Sequence, residues 1–448
     1  MEADHEEARR IAEESMVLLK NDGVLPLNPS EKIAFIGGFA KNPRFQGGGS
    51  SHINCFRTAS ALASLPEHAQ VTYAEGFPAD RDFYDKALAD EAVKAAAEAD
   101  KAVIFAGLPE SFESEGYDRS HMRLPECQNR LITEILKVQP NTVIVLHNGS
   151  PVEMPWLGEI KGLLETYLGG QAGGAAAANI LYGKINPSGK LAETMPLKLS
   201  DNPYLNFGGG EKVEYREGIF VGYRYYDTKE MDVAFPFGYG LSYTTFAYSN
   251  LKLSMENPTE KDTVMVSADV TNTGKSAGKE VVQLYIRDLT GSAIRPEKEL
   301  KGFEKVFLEP GETKTVTMEL NKRSFAWYNT ELHDWFAASG DYEILVGASS
   351  RDIRLTETLH LNSSQRLPMH VHMNTTLGDL LRNPETAEAA KKLIQKYLSG
   401  EAGSEAASEA VSEEMTMAMT DSMPLRALMG FAGVSRKELD SVIEKLNK

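Results

Sequence analysis

The densest run of groups able to move protons lies at residues 108–122, Leu-Pro-Glu-Ser-Phe-Glu-Ser-Glu-Gly-Tyr-Asp-Arg-Ser-His-Met. It offers Glu110, Glu113, Glu115 and Asp118 beside Arg119 and His121. A carboxyl group on such a loop can serve as a general acid if a cleft raises its pKa. The loop follows the apolar run 102–106. In an open parallel sheet that places it at the carboxyl end of a strand, where ligands of such sheets bind. On residue types alone, a loop with three glutamates reads as a solvated loop.

Other segments invite chemistry less strongly. Phe45-Gln-Gly-Gly-Gly-Ser-Ser51 lacks the Gly-x-Gly-x-x-Gly spacing of a dinucleotide site and the Lys of a P-loop. Gly169-Gly-Gln-Ala-Gly-Gly-Ala175 opens a helix after a strand. Its glycines suit close packing on the sheet better than an anion at the helix N-terminus. His370 and His372 alternate without a third ligand nearby, so no metal is expected. No Gly-x-Ser-x-Gly elbow occurs, although that leaves other Ser/His/Asp arrangements open. Cys55 and Cys127 are the only cysteines, which suits free thiols in a reducing compartment.

The elements that would position these groups follow from periodicity. Residues 4–20 read as a helix. Short apolar runs at 33–39, 71–74, 102–106, 142–146 and 163–168 are rich in Val, Ile and Phe with little polar alternation. Such runs suit strands buried on both faces. Helical candidates at 58–65, 83–99, 126–138 and 171–182 lie between them. Strand–helix alternation predicts an α/β sandwich, a mostly parallel sheet with helices on both faces, over residues 1–195. Residues 196–245, with Phe207-Gly-Gly-Gly and Phe235-Pro-Phe-Gly-Tyr-Gly, read as an extended connector pinned by aromatics. Period-two alternation at 264–270, 282–286, 315–320 and 342–346 predicts an all-β sandwich over 246–362. Residues 363–448 read as a helical, partly flexible tail. It holds a helix at 384–398, an acidic linker at 400–414 and a Met-rich stretch from Met415 to Phe431. A terminal helix at 436–447 closes it.

The length of 448 residues suits roughly two to four domains. Lys and Arg total 47 against 64 Asp and Glu, a net charge of −17. That balance disfavours nucleic acid and anionic membranes as partners. No apolar run reaches the roughly 18 residues of a membrane span. The N-terminus shows no secretory signal, so a cytoplasmic location is expected.

Several segments together are distinctive. Glu14-Ser-Met-Val-Leu-Leu-Lys-Asn21, Glu113-Ser-Glu-Gly-Tyr-Asp-Arg119 and Gly149-Ser-Pro-Val-Glu-Met-Pro-Trp156 resemble the C-terminal half of glycoside hydrolase family 3 β-glucosidases. So do Tyr182–Leu191, Tyr223-Arg-Tyr-Tyr226 and Phe235–Thr244. Arg295–Phe303 and Leu308–Glu312 are similar to the family's fibronectin type III-like domain. The tail around Met423-Pro-Leu-Arg-Ala-Leu428 is similar to extensions of some bacterial members.

The resemblance implies a retaining β-glucosidase acting on short β-glucosides without a cofactor. It implies that Glu115, directly before Gly-Tyr-Asp-Arg, is the general acid/base, with Glu113 as the fallback. Asp118 and Arg119 then shape the loop. The loop Ser50, Ser51 and His52 is the candidate substrate contact. Family members place the nucleophilic Asp, in a Ser-Asp-Trp context, on a (β/α)₈ barrel. Here the one Asp-Trp pair is Asp334-Trp335, inside the predicted sandwich, and no barrel of about 250 residues fits before Glu2. The expectation is a partial enzyme that needs the barrel, in cis or in trans, as its partner. A non-catalytic carbohydrate-binding or scaffolding module is the alternative, and a nucleotide-binding protein a distant third.

Overall fold

The computed structural model describes residues 1–203, 211–367, 369–397 and 421–447. They form two compact units, Met1–Gln365 and Arg366–Lys448.

The first unit opens with α1 (Glu2–Ser15), β1 (Val17–Asn21), β2 (Lys32–Ile36), β3 (Gln70–Ala74) and α2 (Lys86–Ala97). It continues with β4 (Lys101–Gly107), α3 (Glu126–Leu136), β5 (Thr142–His147), β6 (Gly162–Glu165) and α4 (Gly173–Leu181). The sheet runs β1-β6-β5-β4-β2-β3. All its pairs are parallel except β1 with β6. Alternation within the buried strands divides the core between the faces. Ile104, Ile144 and Leu163 pack with Ala92 of α2 and Leu131 of α3. Phe105, Val145 and Leu164 pack with Ala12 of α1 and Ile180 of α4. Burial on both faces is why these strands read as continuous apolar runs.

Two expected elements differ. The helix predicted over 4–20 stops at Ser15, and Val17–Asn21 pairs antiparallel with β6, Val17 opposite Glu165. Val17, Leu18 and Leu19 are all buried. A strand between two helical layers can bury consecutive side chains, whereas a surface helix buries one stripe. The helix expected at 58–65 is a single 3₁₀ turn, Leu62–Ser64. Ala59 instead donates its N–H to the Gln171 carbonyl at 2.8 Å. Its carbonyl lies where a Cβ on Gly174 would stand. The glycines of 169–174 thus let the chain before the turn lie against the start of α4.

Local capping is legible at α2. Asp85 accepts from the backbone N–H of Ala87 at 2.9 Å and of Leu88 at 3.3 Å. Asp85→Ala is expected to cost about 1 kcal/mol in urea unfolding, because two first-turn donors lose their acceptor.

Residues 195–235 hold β7 (Met195–Pro196), the short helix α5 (Tyr223–Thr228) and β8 (Val233–Phe235). Phe207-Gly-Gly-Gly lies outside the described residues. Aromatics pin this stretch, with the Tyr223 and Phe237 rings stacked at 4.6 Å. Leu300 donates its N–H to the Tyr223 hydroxyl at 2.8 Å.

An antiparallel sandwich follows: β9 (Phe246–Leu253), β10 (Val264–Asn272), β11 (Gly278–Asp288), β12 (Glu299–Leu308) and β13 (Thr313–Leu320). Then come α6 (Lys322–Phe325), β14 (Trp327–Asn329), β15 (Asp334–Phe336), β16 (Gly340–Ser349) and β17 (Asp352–Leu361). Its sheets run β13-β10-β9 and β12-β11-β16-β17. Val264, Val266, Ala268 and Val270 face Val282, Leu284 and Ile286 across the core, as the alternation predicts. Tyr342–Val346 is the last strong strand signal in the sequence; β17 follows it within the predicted sandwich, and its mostly polar, exposed residues give no comparable signal, as suits an edge strand.

The second unit contains α7 (Leu377–Arg382), α8 (Ala387–Tyr397), α9 (Ala427–Phe431) and α10 (Arg436–Leu446). Leu377, Leu380, Leu393, Leu425, Leu428 and Leu439 form its core. Thr376 and Asp379 cap α7 reciprocally. The acidic linker 400–414 and Met415, Met417 and Met419 lie outside the described residues. Among the described residues no helix is long and apolar enough to cross a membrane.

Candidate active site

The carboxyl ends of β2, β4, β5 and β6 converge, and four loops leave from them. Gln128 of α3 fixes the exit of β4. Its amide donates to the Gly107 carbonyl at 2.9 Å and accepts from the Gly107 N–H at 2.9 Å. A side chain at Gly107 would collide with the His147 carbonyl, so glycine lets β4 and β5 finish side by side.

The two glutamates of the 108–122 loop have opposite surroundings. Glu113 is partly buried and saturated. It accepts from Arg44 Nη1 at 2.8 Å, from the Gly149 N–H at 2.7 Å and from the Ser150 hydroxyl. Burial pushes its pKa up, but the Ser150, Gly149 and Arg44 contacts outweigh that and hold it below the usual glutamate value. Arg44 is itself buried, and its guanidinium also donates to the carbonyls of Leu108, at 2.8 Å, and Glu113, at 3.1 Å. Arg119 Nη1 donates to the Ser150 hydroxyl at 2.8 Å and the Pro151 carbonyl at 2.9 Å. Arg44, Glu113, Ser150 and Arg119 thus clamp the loop to the β5 exit.

Glu115 stands beyond the clamp and is exposed. Its Oε2 accepts from the Ser50 N–H at 2.5 Å and from the Ser50 hydroxyl. Those two Ser50 contacts hold its pKa below the ordinary value. Glu115 is exposed, so burial does little to raise its pKa, and both contacts favour the anion.

The remaining predicted residues are spread over the same two loops. Ser51 donates to the Gly48 carbonyl at 3.4 Å. His52 Nδ1 lies 3.8 Å from Glu110, both exposed. Tyr117 donates to the Glu110 carbonyl at 2.5 Å. Asp118 is exposed. The His121 ring meets Phe112 edge-on at 5.9 Å. The structure therefore brings Ser50 onto Glu115 but leaves His52 with Glu110.

Two buried groups beneath the loops were not foreseen. Glu165, at the end of β6, is fully buried. It accepts from the Tyr167 N–H at 2.8 Å and from Asn148 Nδ2 at 3.1 Å. Burial pushes its pKa up to about 8. His147, at the end of β5, shares a 3.2 Å contact with the Thr166 hydroxyl, and burial pushes its pKa down to about 4. The sequence signals were one polar residue directly after an apolar run, His147, and one acidic residue inside such a run, Glu165.

An α/β sheet with a clamped acidic loop at its strand ends is thus followed in the chain by an antiparallel sandwich. The family model described as the glycosyl hydrolase family 3 C-terminal domain matches residues 16–243, and that of the fibronectin type III-like domain matches 280–350. The chain belongs to glycoside hydrolase family 3. It is 49% identical to thermostable beta-glucosidase B of Acetivibrio thermocellus, over 100% of this chain and 60% of that protein. It is 41% identical to an exo-alpha-(1->6)-L-arabinopyranosidase of Bifidobacterium breve, over 98% of this chain and 59% of that protein. The crystal structure of the Bifidobacterium adolescentis GH3 beta-glucosidase aligns with a TM-score of 0.81 at 42% identity. That alignment covers 88% of this chain and 58% of that one. The chain thus spans about three fifths of the length of these relatives.

Proposed function

We propose that this chain supplies the acid/base half of a retaining β-glucosidase, with Glu115 as the proton donor. The observation that carries the reading is the contrast within one loop. Glu113 is spent on an ion pair and two further hydrogen bonds, whereas Glu115 is exposed at the rim with only Ser50 contacts to break. A retaining glycosidase needs two carboxyl groups about 5–5.5 Å apart. The nucleophile attacks the anomeric carbon while the acid protonates the departing oxygen. The same acid, now a carboxylate, then takes a proton from the water that hydrolyses the glycosyl-enzyme. No Ser-Asp-Trp occurs in this sequence, so the nucleophile comes from a (β/α)₈ barrel outside it. The substrate is a short β-glucoside, and no metal or cofactor takes part. An α-L-arabinopyranoside is the second reading, favoured by the name of the Bifidobacterium breve relative.

Purified alone, the chain is expected to release no p-nitrophenol from p-nitrophenyl β-glucopyranoside or α-arabinopyranoside. Fused behind the remaining part of the Acetivibrio thermocellus relative, it is expected to hydrolyse one of them. Turnover by the chain alone would overturn the two-part reading.

A further inference from the structure

The Gly-Gly-Gly-Ser-Ser run at 47–51 has the wrong spacing for a nucleotide, and its geometry gives it another use. A Cβ on Gly48 would run into Ser114, with the Ser114 Cβ 3.1 Å away. A Cβ on Gly49 would stand 2.5 Å from both the Cβ and Oε2 of Glu115. Gly49 also has φ +82°, a backbone conformation that side-chain-bearing residues avoid. The two glycines therefore form a trough that receives Ser114 and Glu115. Ser50 sits at its end with both its N–H and its hydroxyl on Glu115 Oε2.

We propose that residues 47–51 are the seat of the proton-donor loop and that Ser50 is its positioning residue, holding the Glu115 carboxylate until a substrate draws it away. The proposal rests on the reading of Glu115 as acid/base. Two donors on one oxygen favour the anion, which is the form that takes a proton from water in the second half-reaction. Protonation of a leaving group requires the other form, so the donor step begins with departure from Ser50. Three other charged groups of the two loops are engaged elsewhere. Arg44 is paired with Glu113 at 2.8 Å, His52 faces Glu110 at 3.8 Å, and Arg119 is turned to Ser150 and Pro151. Asp118 of the same loop is exposed, and a negative charge raises rather than lowers a carboxyl pKa, so it is not the source of the lowering.

The test is a carboxyl-carbon NMR titration of the full chain labelled at glutamate, with the Glu115 signal assigned through Glu115→Gln. In the wild type the midpoint is expected below that of an ordinary glutamate. Ser50→Ala is expected to move it up toward the ordinary value. Ser50→Thr, which keeps hydroxyl and amide, is expected to hold it low, and Ser51→Ala to leave it where it was. Gly49→Ala expels the carboxylate by another route and is expected to move the midpoint up too, which guards against misfolding of the Ser50 variant. An unmoved midpoint in folded Ser50→Ala, or an equal shift in Ser51→Ala, would overturn the proposal. The titration needs no turnover. Its failure would leave the acid/base role of Glu115 standing, whereas full hydrolysis by Glu115→Gln would remove that role and leave the Ser50 coupling.

Discussion

Glu115→Gln, in a form of the enzyme that carries the barrel, is expected to slow hydrolysis of alkyl β-glucosides by about 10²–10⁴-fold. The reason is what an amide cannot do. Gln keeps the shape of Glu115 and an oxygen to accept from Ser50, but it has no transferable proton. An alkoxide is a poor leaving group, so the lost proton raises the glycosylation barrier directly. A dinitrophenyl glucoside leaves without help, so its glycosylation should be nearly unaffected. Its deglycosylation should stall, because no base activates the water. Azide needs no base and is expected to restore turnover with the dinitrophenyl substrate by yielding a glycosyl azide. Equal losses on both substrates, without azide rescue, would point to a structural role instead. Glu113→Gln supplies the contrast. It breaks the Arg44 pair and places an amide N–H₂ where the Gly149 N–H or the Ser150 hydroxyl now donates. Its loss should fall on both substrates alike, with no azide rescue.

Much of the fold was legible because its signals are local. Ile33–Ile36, Ala102–Ala106 and Thr142–Leu146 announce strands through apolar runs bounded by turn residues, and β10 through strict alternation. β1 was not legible. Glu13-Glu-Ser-Met-Val-Leu-Leu-Lys20 continues a helical composition, and the partner that makes Val17–Asn21 a strand, β6, lies more than a hundred residues away. The helix expected at 58–65 fails for the same reason, since residues 59–61 lie against Gly174. The site shows the same division. That the 108–122 loop leaves a strand end could be read from the chain, but the different fates of Glu113 and Glu115 could not. They depend on Arg44 and Ser50, which come from the loop after β2. Nor does a lone glutamate after Leu163-Leu164 reveal that it is sealed from water.

That sealed carboxyl yields the second large effect, on stability against pH. Glu165 is neutral in the fold up to about pH 8, while a free glutamate ionises near 4.5. Its folded pKa is raised. The stability it contributes is therefore complete below 4.5 and lost as pH rises through 8. His147 works the other way. Its folded pKa of about 4 lies below the ordinary 6.5, so stability falls as pH drops from 6.5 toward 4. Between 4.5 and 6.5 the two slopes oppose each other. From 6.5 to 8 the Glu165 slope stands without its His147 counterpart, at about 1.4 kcal/mol per pH unit, or about 2 kcal/mol across that window. Glu165→Gln is expected to abolish that decline. It should also turn the balanced interval between 4.5 and 6.5 into a rise with pH. The amide can still accept from the Tyr167 N–H, but its N–H₂ would face Asn148 Nδ2. A constant offset against wild type is therefore expected, and the slope, not the absolute stability, carries the test. Urea unfolding followed through buried Trp156, with Trp327 and Trp335 replaced by Phe, reads this slope within the α/β sheet. Parallel slopes for wild type and variant above pH 6.5 would mean that Glu165 ionises in place, with water or a cation reaching it. The β6 end would then be an open part of the site rather than its sealed floor.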